Sequence, residues 1–323
     1  MKIFEITLLF LGSVIGAGFA TGAEIITFFG HLNLPIWCIS LIVGLTMFAI
    51  ITLEILLYYP KVQPINSMIN PTKTTWLTKS LDLTTIIIYF ILFTAMTAGV
   101  ASITNPIIAL ISLILSALIV LFGFDKLSRL NTAIVIVIIV LIISTALPHL
   151  SQTPQVTNTI TNHIPTGIFW GFLYAGLNCF MFPELIKASA REQKRQTLLW
   201  SAVLTAGLIT ILVHLILTTI RQCHTATATI PLLAAAPTPI TIIIILLAVL
   251  TSQYTALFAI IQRSQKLFNI KKNRPLLKTV GICLCAFGTS FLGFTQIINF
   301  AYPLIGAFTC VFLLFSWLKS LRS

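Results

Sequence analysis

Apolar runs of roughly 20 residues follow one another along almost the whole chain, each long enough as a helix to cross a hydrocarbon core of roughly 30 Å. They cover residues 3–29, 34–59, 81–104, 106–123, 131–149, 166–187, 197–220, 238–262, 276–293 and 295–318, with short polar joints between them. Lipid offers backbone groups no partner, so runs this continuous must be helices, and they are too long for barrel strands. Only 8% of the residues are charged and 58% are hydrophobic, against about 25% charged in a soluble domain. The expectation is an all-α integral membrane protein with ten transmembrane helices. It forms a single domain over residues 1–323, since no joint is long enough to hold a second one.

Basic residues test that count. With the N-terminus inside, Lys2, Lys61, Lys73, Lys79, Lys126, Arg129, Lys187, Arg191, Lys194, Arg195, Arg263, Lys266, Lys271, Lys272, Arg274, Lys278, Lys319 and Arg322 all fall on the inner side, and of the 19 Lys and Arg only Arg221 falls outside. The excess of Lys and Arg on one side sets orientation in a bilayer. The net charge of +12 is thereby explained without a nucleic-acid partner. The expected location is the cell membrane, with both termini cytoplasmic. Lys2 ahead of an apolar run resembles a signal peptide, but cleavage after Ala20 or Ala23 would leave nine spans and no exported domain, so the run is read as a retained span.

Enzymatic motifs are missing from this pattern. Cys38, Cys179, Cys223, Cys283, Cys285 and Cys310 show no C-x-x-C spacing, and His31, His149, His163, His214 and His224 show no metal spacing. No Walker loop, dinucleotide fingerprint or nucleophile–base pair stands in a suitable setting, so neither an enzyme nor a cofactor is expected.

The first span contains "GSVIGAGFATGAE", with Gly12, Gly16, Gly18 and Gly22 inside the membrane. Gly12/Gly16 and Gly18/Gly22 both have the spacing of close helix packing. Glycine also costs about 1 kcal/mol per helical position relative to alanine, so the same stretch is where a helix would break. Unwound backbone at membrane depth persists only where it is buried in protein or lines a cavity. Span 6 offers a second break, with Gly171, Gly176, Asn178 and Pro183 followed by Glu184. Interrupted first and sixth helices of ten suggest two five-helix halves, about 1–150 and 160–323, in an inverted repeat.

On these residues the chain resembles the LeuT-fold transporters of the amino acid–polyamine–organocation superfamily. It is most similar to the YkvI-like membrane proteins, which carry an element like Ile15–Glu24. Ala248, Thr251 and Ser252 in span 8 match the Ala-x-x-Thr-Ser element of sodium-coupled members. The resemblance implies a sodium ion held by Gly12, Ile15, Ala248, Thr251 and Ser252. The alternative for Thr251 and Ser252 is a bond back to a carbonyl one turn earlier. The substrate site implied beside it comprises Gly16, Ala17, Gly18 and Phe19 from span 1, Tyr174 and Asn178 from span 6, and Thr94 and Thr97 from span 3. Phe172 and Phe180 would supply apolar walls.

Glu24 is a carboxylate inside a span and therefore a functional candidate: a proton carrier, the partner of a substrate amine, or part of an outer gate with Arg221. Glu184 is expected to pair with the basic joint that follows it, and Glu54 and Asp82 to be structural. The function read from this is secondary active transport of an amino acid or similar small solute by alternating access, coupled to sodium. Proton coupling through Glu24 and a membrane-embedded ligand sensor are the alternatives.

Overall fold

The computed structural model describes residues 2–59, 76–122, 124–149, 164–190, 193–228, 230–267 and 275–320. Every regular element among them is helical. The first apolar run is divided into three helices, α1 (Lys2–Val14), α2 (Ala17–Thr21) and α3 (Ala23–Phe29). Then come α4 (Ile36–Tyr58), α5 (Trp76–Ile103), α6 (Pro106–Leu121) and α7 (Phe124–Ala146). The sixth run is divided into α8 (Ile164–Cys179) and α9 (Phe182–Ser189), bent by 54°. Next are α10 (Arg195–Gln222), the short α11 (Pro231–Ala235), α12 (Pro239–Leu267) and α13 (Pro275–Ser290). The last run opens with α14 (Phe294–Gln296), passes through a π-helical turn at Ile297–Ala301 and ends in α15 (Tyr302–Ser320).

Both interruptions have local causes. Between α1 and α2 the Gly16 amide bonds the Val14 carbonyl at 2.8 Å, a contact too short-range to continue the helix. Gly22 then takes φ +75°, a left-handed conformation that costs glycine nothing and other residues about 1–2 kcal/mol. A side chain there would also collide with Ile220. In the sixth run the expected glycines do not make the break. Gly171 lies against Ile42 and Thr46, and Gly176 against the Gly306 carbonyl. They let helices approach closely. The bend falls at residues 180–181, where Pro183 removes an amide and crowds the carbonyl four residues earlier.

Among the described residues six helical segments are long and apolar enough to cross a membrane, and the bent α8–α9 pair makes up to seven. That makes this a multi-pass membrane protein. The ten expected runs are all found as helices, but α6 and α13 have only 16 residues each, about 24 Å of helix. Length and composition therefore support fewer crossings than the ten expected. Apolar side chains such as Leu45, Trp37, Phe169, Phe300 and Val311 point outward, as lipid requires.

At the centre α1 packs on α7 and α10, α2 on α5 and α12, and α3 on α8. Around them α4 packs on α10 and α5 on α12. The broken run is thus enclosed on every side, and its residues from Ile6 to Gly22 are buried.

Orientation follows from labelling. Cysteines placed at Lys194 and Lys272 should react from the cytoplasmic side, and at His31 and Thr157 from the outside. Lys272 and Thr157 lie outside the described residues, as do Lys61, Lys73, His163, Arg191, Lys271, Arg274 and Arg322. Labelling of Thr157 and Lys272 from one side would rule out ten crossings.

Candidate functional site

The break in span 1 frees the Ile15 carbonyl. The Ser252 hydroxyl donates to it at 3.3 Å and the Thr251 hydroxyl reaches it at 3.5 Å. Thr251 also donates to the Ala248 carbonyl at 2.8 Å, so the back-bonded geometry exists beside the one that reaches across to α1. Four neutral oxygens, from Ile15, Ala248, Thr251 and Ser252, are brought together. Gly12, the fifth expected member, presents its Cα face to Asn131 of α7. Asn131 donates to the Leu8 carbonyl at 2.9 Å and accepts from Tyr254 at 2.8 Å, tying α1, α7 and α12 together.

Gly16 meets both Ser252 and Met96, where an added Cβ would lie 3.0 Å from the Ser252 hydroxyl and 2.8 Å from the Met96 methyl. The Ala17 amide, at the start of α2, donates to the Met96 sulfur at 3.2 Å. Met96 was missed in the sequence because methionine in an apolar helix reads as packing. Phe19 is fully buried.

Glu24 is 2% exposed, and its Oε1 accepts from the Asn178 amide at 2.6 Å. Asn178 also donates to the Tyr174 carbonyl at 3.1 Å. This pair joins the two broken runs directly. Gly18 is the floor of the group, where a Cβ would lie 2.6 Å from Glu24 Oε2 and 3.4 Å from the Tyr302 ring. The Tyr174 and Tyr302 hydroxyls are buried without a hydrogen-bond partner among the described residues, and both phenols lie close enough to Glu24 to feel its charge. Phe28 and Phe29 close over Tyr174 with ring centroids 5.5 and 5.6 Å away. Tyr302 follows the π-helical turn, a distortion frequent at functional sites.

Other expected members stand elsewhere. Thr94 bonds Thr289 of α13 at 3.1 Å and so faces away from the breaks. Thr97 accepts from Gln253 at 3.2 Å, and Gln253 accepts from Ser116 at 3.2 Å, a buried polar strut across α5, α12 and α6. Phe172 points outward, whereas Phe180 is buried beside Tyr89 and Phe308. Arg221 does not meet Glu24 and donates to the Leu34 carbonyl at 2.8 Å. Glu184 pairs with Lys187 at 3.3 Å, as expected of the basic joint, and also with Arg263 at 2.9 Å. Arg263, expected in an inner joint, is turned into the bundle, where it also holds Asp82 at 2.8 Å. No cluster of three or more His, Cys, Asp or Glu among the described residues could hold a metal ion.

No family model matches the chain, and no curated protein matches it. Among solved structures it is similar to a histidine-to-alanine mutant of the manganese transporter of Eremococcus coleocola, with a TM-score of 0.56 and 12% identity, over 97% of this chain and 78% of that one. The chain shares the fold of that structure. At that identity the likeness concerns the fold, and a shared site does not follow from it.

Proposed function

We propose that this protein is a secondary active transporter working by alternating access, which takes an amino acid or similar small amine-bearing solute between its two broken runs and is coupled to sodium. The observation that carries the reading is the Glu24–Asn178 bond across the two interruptions, with the Tyr174 and Tyr302 hydroxyls unpartnered beside it. A buried hydroxyl without a partner costs about 1–3 kcal/mol, and an ammonium or hydroxyl group of a ligand would remove that cost. A carboxylate is the natural counter-ion for the ammonium.

Sodium is supported by the neutral oxygens of Ile15, Ala248, Thr251 and Ser252, which suit a hard monovalent cation. Gly12 is kept as a fifth ligand through its carbonyl. Gly16, Ala17, Gly18 and Phe19 are assigned to the substrate side of the same break. Kinship with the YkvI-like proteins, ten crossings with cytoplasmic termini in the cell membrane, and repeats at about 1–150 and 160–323 belong to the same proposal. The contacts of α4 with α10 and of α5 with α12 support the repeats, because these are second with seventh and third with eighth. Proton coupling through Glu24 is the second reading, favoured by the fact that the side chain bonded to its Oε1 is the Asn178 amide, not a cation.

Thermal-shift screening of the purified protein against the proteinogenic amino acids, in sodium and in choline, tests this. At least one should stabilise, and more so in sodium. Thr251→Val with Ser252→Ala should remove the sodium increment and leave the ligand-free melt close to wild type. Sodium dependence that survives the double substitution would exclude the ion site. Stabilisation by none of the amino acids would reject the substrate class.

A further inference from the structure

Glu54 is expected from the sequence to be structural, yet its carboxyl is fully buried in α4 and neither oxygen has a hydrogen-bond partner among the described residues. It lines a cavity of about 30 Å³ between α4, α5, α8–α9, α12 and α15, together with Tyr58, Thr85, Tyr89, Glu184 and Arg263. That is room for about two waters and far too little for an amino acid. The cavity sits at the end of the bundle that carries Lys187, where the Lys187 and Glu184 side chains are 29% and 14% exposed.

The charges around Glu54 are already engaged. From α12, Arg263 is held by Asp82 and Glu184. From α9, Lys187 acts on Glu54 electrostatically, but it lies 3.3 Å from Glu184 and over the Tyr58 ring at 5.2 Å. Thr85 and Thr309 hydroxyls donate to backbone carbonyls of their own helices, and Tyr89 donates to the Phe180 carbonyl at 3.4 Å. The other titratable groups acting there among the described residues are Tyr58 on α4 itself, Cys179 from α8 and Cys310 from α15; Cys179 donates to the Met47 sulfur and Cys310 to the Phe172 carbonyl, and none of them bonds a Glu54 oxygen. An ionised carboxylate with no donor in such a place costs several kcal/mol. A metal cation is disfavoured by Arg263 on the same wall and by hydroxyls committed elsewhere. A proton satisfies the site.

We propose that Glu54 is a proton-binding site served by this cavity. It takes one proton from water as α4, α9 and α15 close around it, and returns that proton to water when they part. It is separate from the Glu24 site. It rests on the transporter reading only for what the proton would drive, since proton binding itself is measured without transport.

Infrared spectroscopy of the full chain in lipid nanodiscs tests it. The wild type should show the carbonyl band of a protonated carboxylic acid, which moves in D₂O and disappears reversibly as pH rises. Glu54→Gln should lose that component, while Glu24→Gln should keep it. A band identical in wild type and Glu54→Gln, or one that neither exchanges nor titrates, overturns the proposal. If Glu54→Gln fails to fold, Glu54→Asp retains the acid on a shorter stem. Its band and titration midpoint should then shift, and an unchanged midpoint overturns the proposal equally. Failure of every amino acid in the thermal-shift screen would leave this result standing.

Discussion

Glu24→Gln is expected to reduce transport to background in a protein that still folds. Glutamine keeps the length of the side chain and a carbonyl oxygen for the Asn178 amide, now 2.6 Å from Glu24 Oε1. What it loses is the charge. A hydrogen bond to a charged group is worth about 1.5–3 kcal/mol, so affinity for an amine-bearing solute should fall about tenfold to a hundredfold. The decisive comparison is binding against movement. If Glu24 holds the substrate amine, binding weakens and transport falls with it. If Glu24 carries the coupling proton, the solute still binds but is no longer concentrated, and any pH dependence of the wild-type rate flattens in the variant. Wild-type rates and pH profile in Glu24→Gln would reduce the residue to packing against Gly18.

The largest effect on stability is expected at Arg263. Its guanidinium joins α12 to Asp82 of α5 at 2.8 Å and to Glu184 of α9 at 2.9 Å, and its side chain is 8% exposed. Arg263→Met keeps the volume and removes the charge, which takes this cation from the largely buried Asp82 carboxylate and leaves Glu184 to Lys187. Breaking a buried pair from one side costs about 3–5 kcal/mol. The melting temperature in detergent should therefore drop by several degrees. Arg263→Lys should recover only part of the loss, because one ammonium cannot reproduce the planar fork that reaches both acids. A wild-type melt for Arg263→Met would show that the network contributes nothing net.

Some of this molecule is legible without coordinates. Span length and the scarcity of charge identify a helical membrane protein, since the bilayer leaves the backbone no other choice. The concentration of glycine at residues 12–22 marks where the first run breaks, and Pro183 marks the second. Glu24 and Asn178 stand out because polar side chains are costly at that depth. Ala248, Thr251 and Ser252 share a helix face by their spacing alone.

Tertiary structure decided which faces meet. Glu24 and Asn178 are 154 residues apart, and nothing in either run specifies the other. Thr94 and Thr97 lie one turn apart on α5, yet one turns to Thr289 and the other to Gln253. Arg221 goes to the Leu34 carbonyl, not to Glu24. Met96 becomes the acceptor for the Ala17 amide, a role hidden by its apolar character. Arg263 reads as one more inward-side charge until two acids from different helices close on it. The physical reason is the same in each case. Periodicity assigns residues to faces of a helix, but in lipid one apolar face resembles another, and small-residue contacts and buried polar bonds select the pairing. Those contacts, such as Gly176 against Gly306 and Asn131 against Leu8, exist only once the helices are packed.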